Sequence, residues 1–243
     1  MTIGSIEDAL AQAGVTAASL ARDDALALDA EGYTILRGAI PQASLDDLRA
    51  RFEGAILAAD KWPAPREAGL RHAMLQDDDA VRRVCLSPPL LACVHHALKH
   101  RFFLAAVQGR DPCLGGGYQA LHRDWPDDGE GPRMVVGLAF LDAYGKANGA
   151  TRLVPATQNE PGELSDYAIH GTQHPRQIAV EGEAGDVLLF HGRLVHSGMT
   201  NLNGAPRRTL QICWRSHSTI DSHRETRDLA PLTALDRYLL GAE

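Results

Sequence analysis

The chain has 243 residues, of which 44% are hydrophobic and 23% charged, with a formal net charge of −7. That length supports a sizeable core in one large domain or two small ones, and we read a single domain over 1–243. Dispersed basic residues under a negative balance exclude a surface that tracks phosphates, so nucleic acid is not an expected partner.

The opening MTIGSIEDALAQAG lacks a basic segment followed by an apolar one, and no apolar run reaches bilayer length, so no membrane partner is expected. Cys85, Cys93, Cys113 and Cys213 are scattered and form no C-x-x-C pair, which argues against a zinc knuckle or a disulfide framework. The expectation is a cytoplasmic protein with reduced thiols.

In chain order, the first hundred residues read as mostly helical support. YTILRG is a short strand. Ser44 is placed to cap a helix on which Leu45, Leu48, Phe52 and Ile56 recur at helical spacing, with Asp46 and Asp47 in its first turn. PPLLACVHHALKH is a second helix, started by Pro88 and Pro89. Its His95, His96 and His100 complement a helix C-terminus, so a structural reading is preferred to a metal cluster. From Arg101 the texture changes to short apolar runs, FFLAAVQ, RMVVGLAFLDA, RQIAV, DVLLFHGRLVH and RTLQICW, separated by glycine, proline and asparagine. That pattern predicts a β sandwich or barrel over 101–220. A C-terminal helical segment, LTALDRYLL within 221–243, completes an α+β fold with a mainly β core and helices packed outside.

Within the β half, LHRDWP sets His122 and Asp124 two apart. On a strand both would project to one face, with Arg123 on the other. A second stretch, GDVLLFHGRLVHSGMTNLNGAPRRTLQICW, carries His191 and His196, of which His196 is the better ligand candidate. Two imidazoles and one carboxylate on one face of iron form the facial triad of non-haem Fe(II) oxygenases. NLNGAP reads as a turn and RRTLQICW as a returning strand, which brings a cation at 207 or 208 back beside the metal, as an anionic cosubstrate requires.

At these residues the sequence resembles the phytanoyl-CoA dioxygenase-like family of Fe(II)- and 2-oxoglutarate-dependent oxygenases. The resemblance runs from Gln108 to Trp214 and keeps the family's order: a glutamine-bearing strand, a glycine-rich turn, QALHRDW, NGATRLVP, GDVLLFHGRLVH, then an arginine. Members carry G-D, a phenylalanine, and the distal histidine six positions beyond it, here Gly185, Asp186, Phe190 and His196, which leaves His191 as a decoy. The family's 2-oxoglutarate arginine follows that histidine by eleven positions and falls on Arg207, with Arg208 the neighbour to exclude. Where many members read P-G-S-H, this chain has Pro155, Ala156, Thr157 and Gln158, so no role of that histidine is carried over.

The resemblance implies a double-stranded β-helix (jelly roll, cupin-like) with iron at its mouth. It also implies oxidation, most commonly hydroxylation, of a C–H bond of a small-molecule substrate by Fe(II), 2-oxoglutarate and O2, with release of succinate and CO2. His122, Asp124 and His196 would be the metal ligands and catalytic centre, and Arg207 the cosubstrate anchor. Gln119 could donate to the cosubstrate carboxylate or serve as an edge or turn partner. Gln108, mid-strand among apolar residues, needs a hydrogen-bond partner that cosubstrate or backbone can supply. Phe140 lines the cosubstrate pocket by family position, or is plain core. Trp125, Arg152 and Arg123 are possible substrate contacts at the mouth. The competing reading is a cupin-like metal-binding barrel acting as an isomerase or a non-redox binding module, and the arginine at the family's spacing speaks against it.

Overall fold

A computed structural model describes residues 3–58, 61, 69–125, 129, 131–161, 171–220 and 232–242. Its organising element is a seven-stranded antiparallel sheet. The strand order is β1 (Tyr33–Leu36), β8 (Val187–His191), β5 (Met134–Phe140), β10 (Thr209–Ser216), β4 (Phe102–Pro112), β3 (Leu70–Met74), β2 (Ile56–Leu57). A smaller sheet lies against it in the order β7 (Ile178–Ala179), β6 (Thr151–Val154), β9 (Val195–Gly198). The jelly-roll core and the outside helices read from the sequence are therefore present. Among the described residues no helix is long and apolar enough to cross a membrane.

Residues directly opposite in an antiparallel pair share a face, and the register sorts every long strand of the large sheet into two sides. Val135, Ala139, Val187, Leu189, Leu210, Ile212 and Trp214 face outward into one buried cluster with the helices. Val136, Leu138, Phe140, Leu188 and Phe190 face inward against Ala150, Leu153 and Leu194 of the small-sheet side. β4 breaks the alternation once, because its register slips opposite Cys213 and Trp214. That bulge lets Phe102, Leu104 and Val107 all reach the outer cluster although their spacing is not uniformly even. Gly137 leaves room for the indole of Trp214, since a Cβ there would lie 2.8 Å from it.

Five helices line or flank the outer face: α1 (Ile6–Gln12), α3 (Leu45–Gly54), α4 (Asp79–Cys85), α5 (Pro88–Leu98) and α6 (Ala234–Leu240), while α2 (Arg22–Glu31) packs against β1. α5 starts with proline in its first turn, as its sequence predicts. The structure corrects three expectations about the first hundred residues. Ser44 does not cap α3, because a 3-10 turn over Gln42–Ser44 runs directly into the helix and holds Ser44 in helical φ/ψ, with no side-chain cap bond. Ile56 is not on that helix but in β2, since α3 ends at Gly54 and the chain turns to pair with β3. The first hundred residues also contribute β2 and β3, which extend the large sheet past β4 and which the sequence pattern did not predict. Of the C-terminal segment 221–243, the part 221–231 lies outside the described residues, and α6 occupies Ala234–Leu240 behind a Thr233–Asp236 capping box.

The divergent tetrapeptide Pro155–Gln158 joins the two layers at α2. Ala156 N–H donates to the Glu31 carbonyl at 2.9 Å, and the buried Gln158 amide reaches the Asp29 carbonyl at 3.4 Å. Gly32, which ends α2 in the left-handed conformation at φ +79°, makes room for this, since a Cβ would meet Gln158 Oε1 at 2.4 Å and Leu194 Cδ1 at 2.9 Å. Gly38 has φ +59° with open space around it. Gly38→Ala should therefore cost only the left-handed penalty, about 1–2 kcal/mol, while Gly32→Ala adds a steric clash and should cost clearly more. Urea denaturation of the two variants measures the difference, and equal losses would show that the Gln158 contact does not constrain the junction.

Candidate metal centre and cosubstrate cavity

His196 sits in β9, the edge strand of the small sheet, and His122 pairs with it directly. His122 N–H donates to the His196 carbonyl at 2.9 Å and His196 N–H to the His122 carbonyl at 3.0 Å. A reciprocal pair of this kind sets two side chains on one face at close range, and the imidazole centroids are 4.4 Å apart. His122 is an isolated bridge rather than part of a strand, so the strand geometry expected for H-x-D is corrected. Asp124 comes to the same face through a bend, because Asp124 N–H and Trp125 N–H both donate to the Gly192 carbonyl, at 2.8 and 3.0 Å. Its carboxylate stands 3.6 Å from His122 Nε2 and 3.4 Å from His196 Nε2. One ligand atom from each residue falls within 4.8 Å of the others.

The hydrogen bonding prepares the imidazoles as ligands. His122 Nδ1 lies 2.9 Å from the Ala120 carbonyl and His196 Nδ1 3.0 Å from the Leu194 carbonyl. Each carbonyl can only accept, so the proton belongs on Nδ1 and the lone pair on Nε2, which faces Asp124. Burial by itself would push the Asp124 carboxyl up, but its coulombic and hydrogen-bond interactions with His196 and His122, made when those rings carry a proton on Nε2, outweigh it and hold it well below the usual carboxylate range. Burial likewise presses the His122 pKa down, yet its contact with Asp124 and its bond to the Ala120 carbonyl leave it raised. An ionised Asp124 whose Oδ2 has no hydrogen-bond partner, facing two imidazoles whose Nε2 becomes a ligand when a cation displaces its proton, is a donor set suited to a divalent cation such as iron. His191, set aside by the spacing, is not in the His122–Asp124–His196 group. It lies in β8 away from the centre, and burial, with Arg193 beside it, lowers its pKa to about 4.

A cavity of about 130 Å³ opens from these ligands into the space between the sheets, lined among others by Gln119, Thr151, Phe190, Arg207 and Gln211. Arg207, one of its lining residues, is buried. Its backbone N–H donates to Asp111 at 2.9 Å, Nη1 donates to the Tyr144 hydroxyl at 2.8 Å, and Nε has no partner. Tyr144 also accepts from Thr151 N–H at 3.0 Å, so its own proton goes to Thr151 Oγ1 at 2.7 Å. A buried guanidinium with an unused donor is matched by a carboxylate. Arg208 is excluded from the cavity by register, since it points to the other side and forms a paired contact with Asp142 at 2.8 Å. Gln119 lies in a loop, not a strand, and its Oε1 accepts from Gly198 N–H at 3.3 Å while its amide still lines the cavity.

The other expected site residues do not line this cavity. Phe140 is fully buried and stacked on Tyr144 at 3.9 Å, one layer behind the arginine. Gln108 stands opposite Gln211 on the inward face of β4, outside the cavity wall. Arg152, expected at the mouth, is buried and tied to Ser197 at 2.6 Å, to Gln177 and to the Gln119 carbonyl. Arg123 reaches back to the carbonyls of Thr157 and Glu160, at 3.2 and 3.0 Å. Trp125 is half-buried with the Arg215 guanidinium 4.8 Å over its ring. Residues the sequence reading missed are Gln211, Arg110, Thr151 and Tyr144. Counting by twos from Arg207 along β10 reaches Gln211, but Arg110 needed the β4–β10 register and Tyr144 needed the turn that brings it over Arg207.

Replacing His122, Asp124 or His196 by Ala should abolish tight Fe(II) binding in anaerobic titration, whereas His191→Ala should bind as the native protein does. The reverse pattern for His196 and His191 would move the distal ligand. A separate pH signature belongs to His191. Its folded pKa near 4 lies below the unfolded value near 6.5, so the unfolded chain takes the proton first. The stability due to the neutral ring is complete above pH 6.5 and is lost as pH falls from there towards 4, at up to about 1.4 kcal/mol per pH unit. His191→Gln should flatten that part of the stability–pH curve, and an unchanged slope would refute this assignment.

The phytanoyl-CoA dioxygenase (PhyH) family profile matches residues 28–209. Among curated proteins, the Fe(II)/2-oxoglutarate-dependent dioxygenase nvfF of Aspergillus novofumigatus is 28% identical over 198 residues, 70% of this chain and 63% of that one. Dioxygenase aneA of Aspergillus aculeatus is 34% identical over 96 residues, 36% of this chain and 31% of that one. The chain thus spans less than two thirds of the length of these curated relatives. Among solved structures, HygX from Streptomyces hygroscopicus with nickel, 2-oxoglutarate and hygromycin B bound superposes with TM-score 0.67 at 18% identity, covering 87% of this chain and 92% of that one. The 2-oxoglutarate-dependent epimerase SnoN from nogalamycin biosynthesis gives 0.65 at 17% identity, covering 87% and 94%. At such identities the structural likeness speaks for the fold, and the profile match over most of the length speaks for descent: the chain belongs to the phytanoyl-CoA dioxygenase (PhyH) family.

Proposed function

We propose that this protein is an Fe(II)- and 2-oxoglutarate-dependent dioxygenase that oxidises, most commonly by hydroxylation, a C–H bond of a small organic molecule. The observation that carries the reading is one cavity lined both by a His–Asp–His ligand set and by a buried arginine with an unused donor. In this reading His122, Asp124 and His196 hold the iron, and Arg207, kept in place by Tyr144 and Asp111, binds the far carboxylate of 2-oxoglutarate. Iron with 2-oxoglutarate and dioxygen supplies the oxidation, the cosubstrate leaving as succinate and CO2.

The chain's own share is orientation and exclusion of water. Phe190 and Leu138 give the cavity an apolar wall, and Phe190 packs on His196 at 4.6 Å between ring centroids. Gln211 Oε1, an acceptor without a partner, is suited to a hydroxyl or N–H on the bound molecule, because 2-oxoglutarate offers acceptors alone. Small-molecule substrates accord with HygX, whose structure holds hygromycin B, and with SnoN, whose structure holds nogalamycin RO. One domain over 1–243 and a cytosolic site of action complete the reading, the latter supported by four cysteines without disulfides. No observation favours the isomerase or binding-module alternative.

Anaerobic addition of Fe(II) and then 2-oxoglutarate should produce a weak visible charge-transfer band, and bound iron without that band would favour the non-redox module. Loss of a charge-assisted bond is worth roughly 1.5–3 kcal/mol, so Arg207→Ala should weaken 2-oxoglutarate by about ten- to a hundredfold with Fe(II) affinity little changed. Arg208→Ala should leave the cosubstrate titration as it is. A large effect confined to Arg208→Ala would shift the anchor by one residue.

A further inference from the structure

A single turn behind the candidate metal centre touches both segments that carry its ligands. Thr157 is 1% exposed, and its hydroxyl donates to the Val154 carbonyl at 2.7 Å while accepting from Val195 N–H at 2.9 Å. Its own carbonyl accepts from Arg123 Nη2 at 3.2 Å, and the same guanidinium nitrogen donates to the Glu160 carbonyl at 3.0 Å. Val195 directly precedes His196, and Arg123 lies between His122 and Asp124. One residue therefore holds the distal ligand strand through its side chain and the proximal ligand segment through its backbone.

The turn is itself fixed. Ala156 adopts φ +63°, a left-handed conformation that a side chain disfavours. Such a conformation persists where surrounding bonds over-determine it, and here Ala156 N–H is bound to Glu31 and Gln158 to Asp29, both at the end of α2. At Val195 the ladder between β6 and β9 ends with the pair Val154–Val195, and the Thr157 hydroxyl bridges that last rung, donating to the Val154 carbonyl and accepting from Val195 N–H.

We propose that Thr157 is a positioning residue that sets the separation of His196 from His122 and Asp124, acting with Arg123 as a clamp behind the triad. This rests on the reading of those three residues as metal ligands. Groups that orient ligands from behind are worth about ten- to a hundredfold in metal affinity when removed. Without the hydroxyl, Val195 N–H loses its buried partner and β9 is released where His196 begins. Arg123 is then a member of this clamp and not a substrate contact.

The test measures Ni(II) affinity by calorimetry and Fe(II) affinity by anaerobic titration, beside far-UV circular dichroism and the thermal midpoint, for the native chain and its variants. Thr157→Val keeps the shape and removes both side-chain hydrogen bonds, and it should weaken metal binding about tenfold or more. Thr157→Ser should restore affinity to within about twofold. Arg123→Met, which leaves Thr157 intact, should weaken the metal in the same direction, and its combination with Thr157→Val should lose less than the sum because both act on one separation. Arg123→Met carries the test should Thr157→Val fail to fold. The proposal is overturned if Thr157→Val lowers the thermal midpoint but binds metal within twofold of the native protein, or if Arg123→Met binds metal as the native protein does. Native protein that binds nickel at the triad yet gives no charge-transfer band with Fe(II) and 2-oxoglutarate would sink the oxygenase reading and leave the clamp measurable.

Discussion

The pair of backbone hydrogen bonds between His122 and His196 is the constraint on which the candidate centre depends. It extends the small sheet by one residue beyond β9 and, by the geometry of a directly opposed antiparallel pair, puts two imidazoles on one face without any further element. The third ligand candidate is placed relative to that bridge. Asp124 can join only because the chain bends there and lodges two successive N–H groups on the Gly192 carbonyl, and each imidazole is turned by the carbonyl two residues before it.

The rest of the β core sets the shape and polarity of the cavity. The large sheet brings Arg207 in at the start of β10, where the Asp111 carboxylate meets its backbone and Tyr144 its guanidinium. Phe140 supports Tyr144 from behind and is in turn closed off by Gly182, where a Cβ would lie 2.7 Å from the ring. Gly198 allows the loop bearing Gln119 to approach β9, since a Cβ there would stand 2.5 Å from the Gly117 carbonyl. The polar network is thus held by packing of the inner apolar faces, while the helices brace the outer face and take no part in the chemistry we propose.

The departures from expectation share a physical cause. Arg152 and Arg123 look like mouth residues in a linear reading because arginine is usually solvated, yet in the fold each meets several backbone carbonyls that need donors, and the guanidinium fork supplies them. Ser44 has the composition of a cap but stands in a 3-10 turn whose backbone geometry already continues into the helix. The short strands β2 and β3 escaped notice because LRHAM has neither the length nor the alternation of the central strands, and its pairing is set by β4.

The amino-acid sequence by itself determined the identities of the ligand candidates, the candidate anchor arginine and the β-core texture, because spacing along a chain is a local property and His122, Asp124, Phe190, His196 and Arg207 lie at family spacing. It also favoured Arg207 over Arg208 by the family's spacing of eleven positions from His196, whereas the side to which each arginine turns, which a one-residue step on a strand reverses, was settled by the fold. Only the tertiary structure decided that His122 pairs with His196 across a bridge, that Arg110 and Gln211 share the cavity wall, and that Thr157 touches both ligand segments. Those facts depend on register between strands far apart in sequence and on which carbonyls the folded chain leaves in need of a donor, and neither is encoded in any short window of residues.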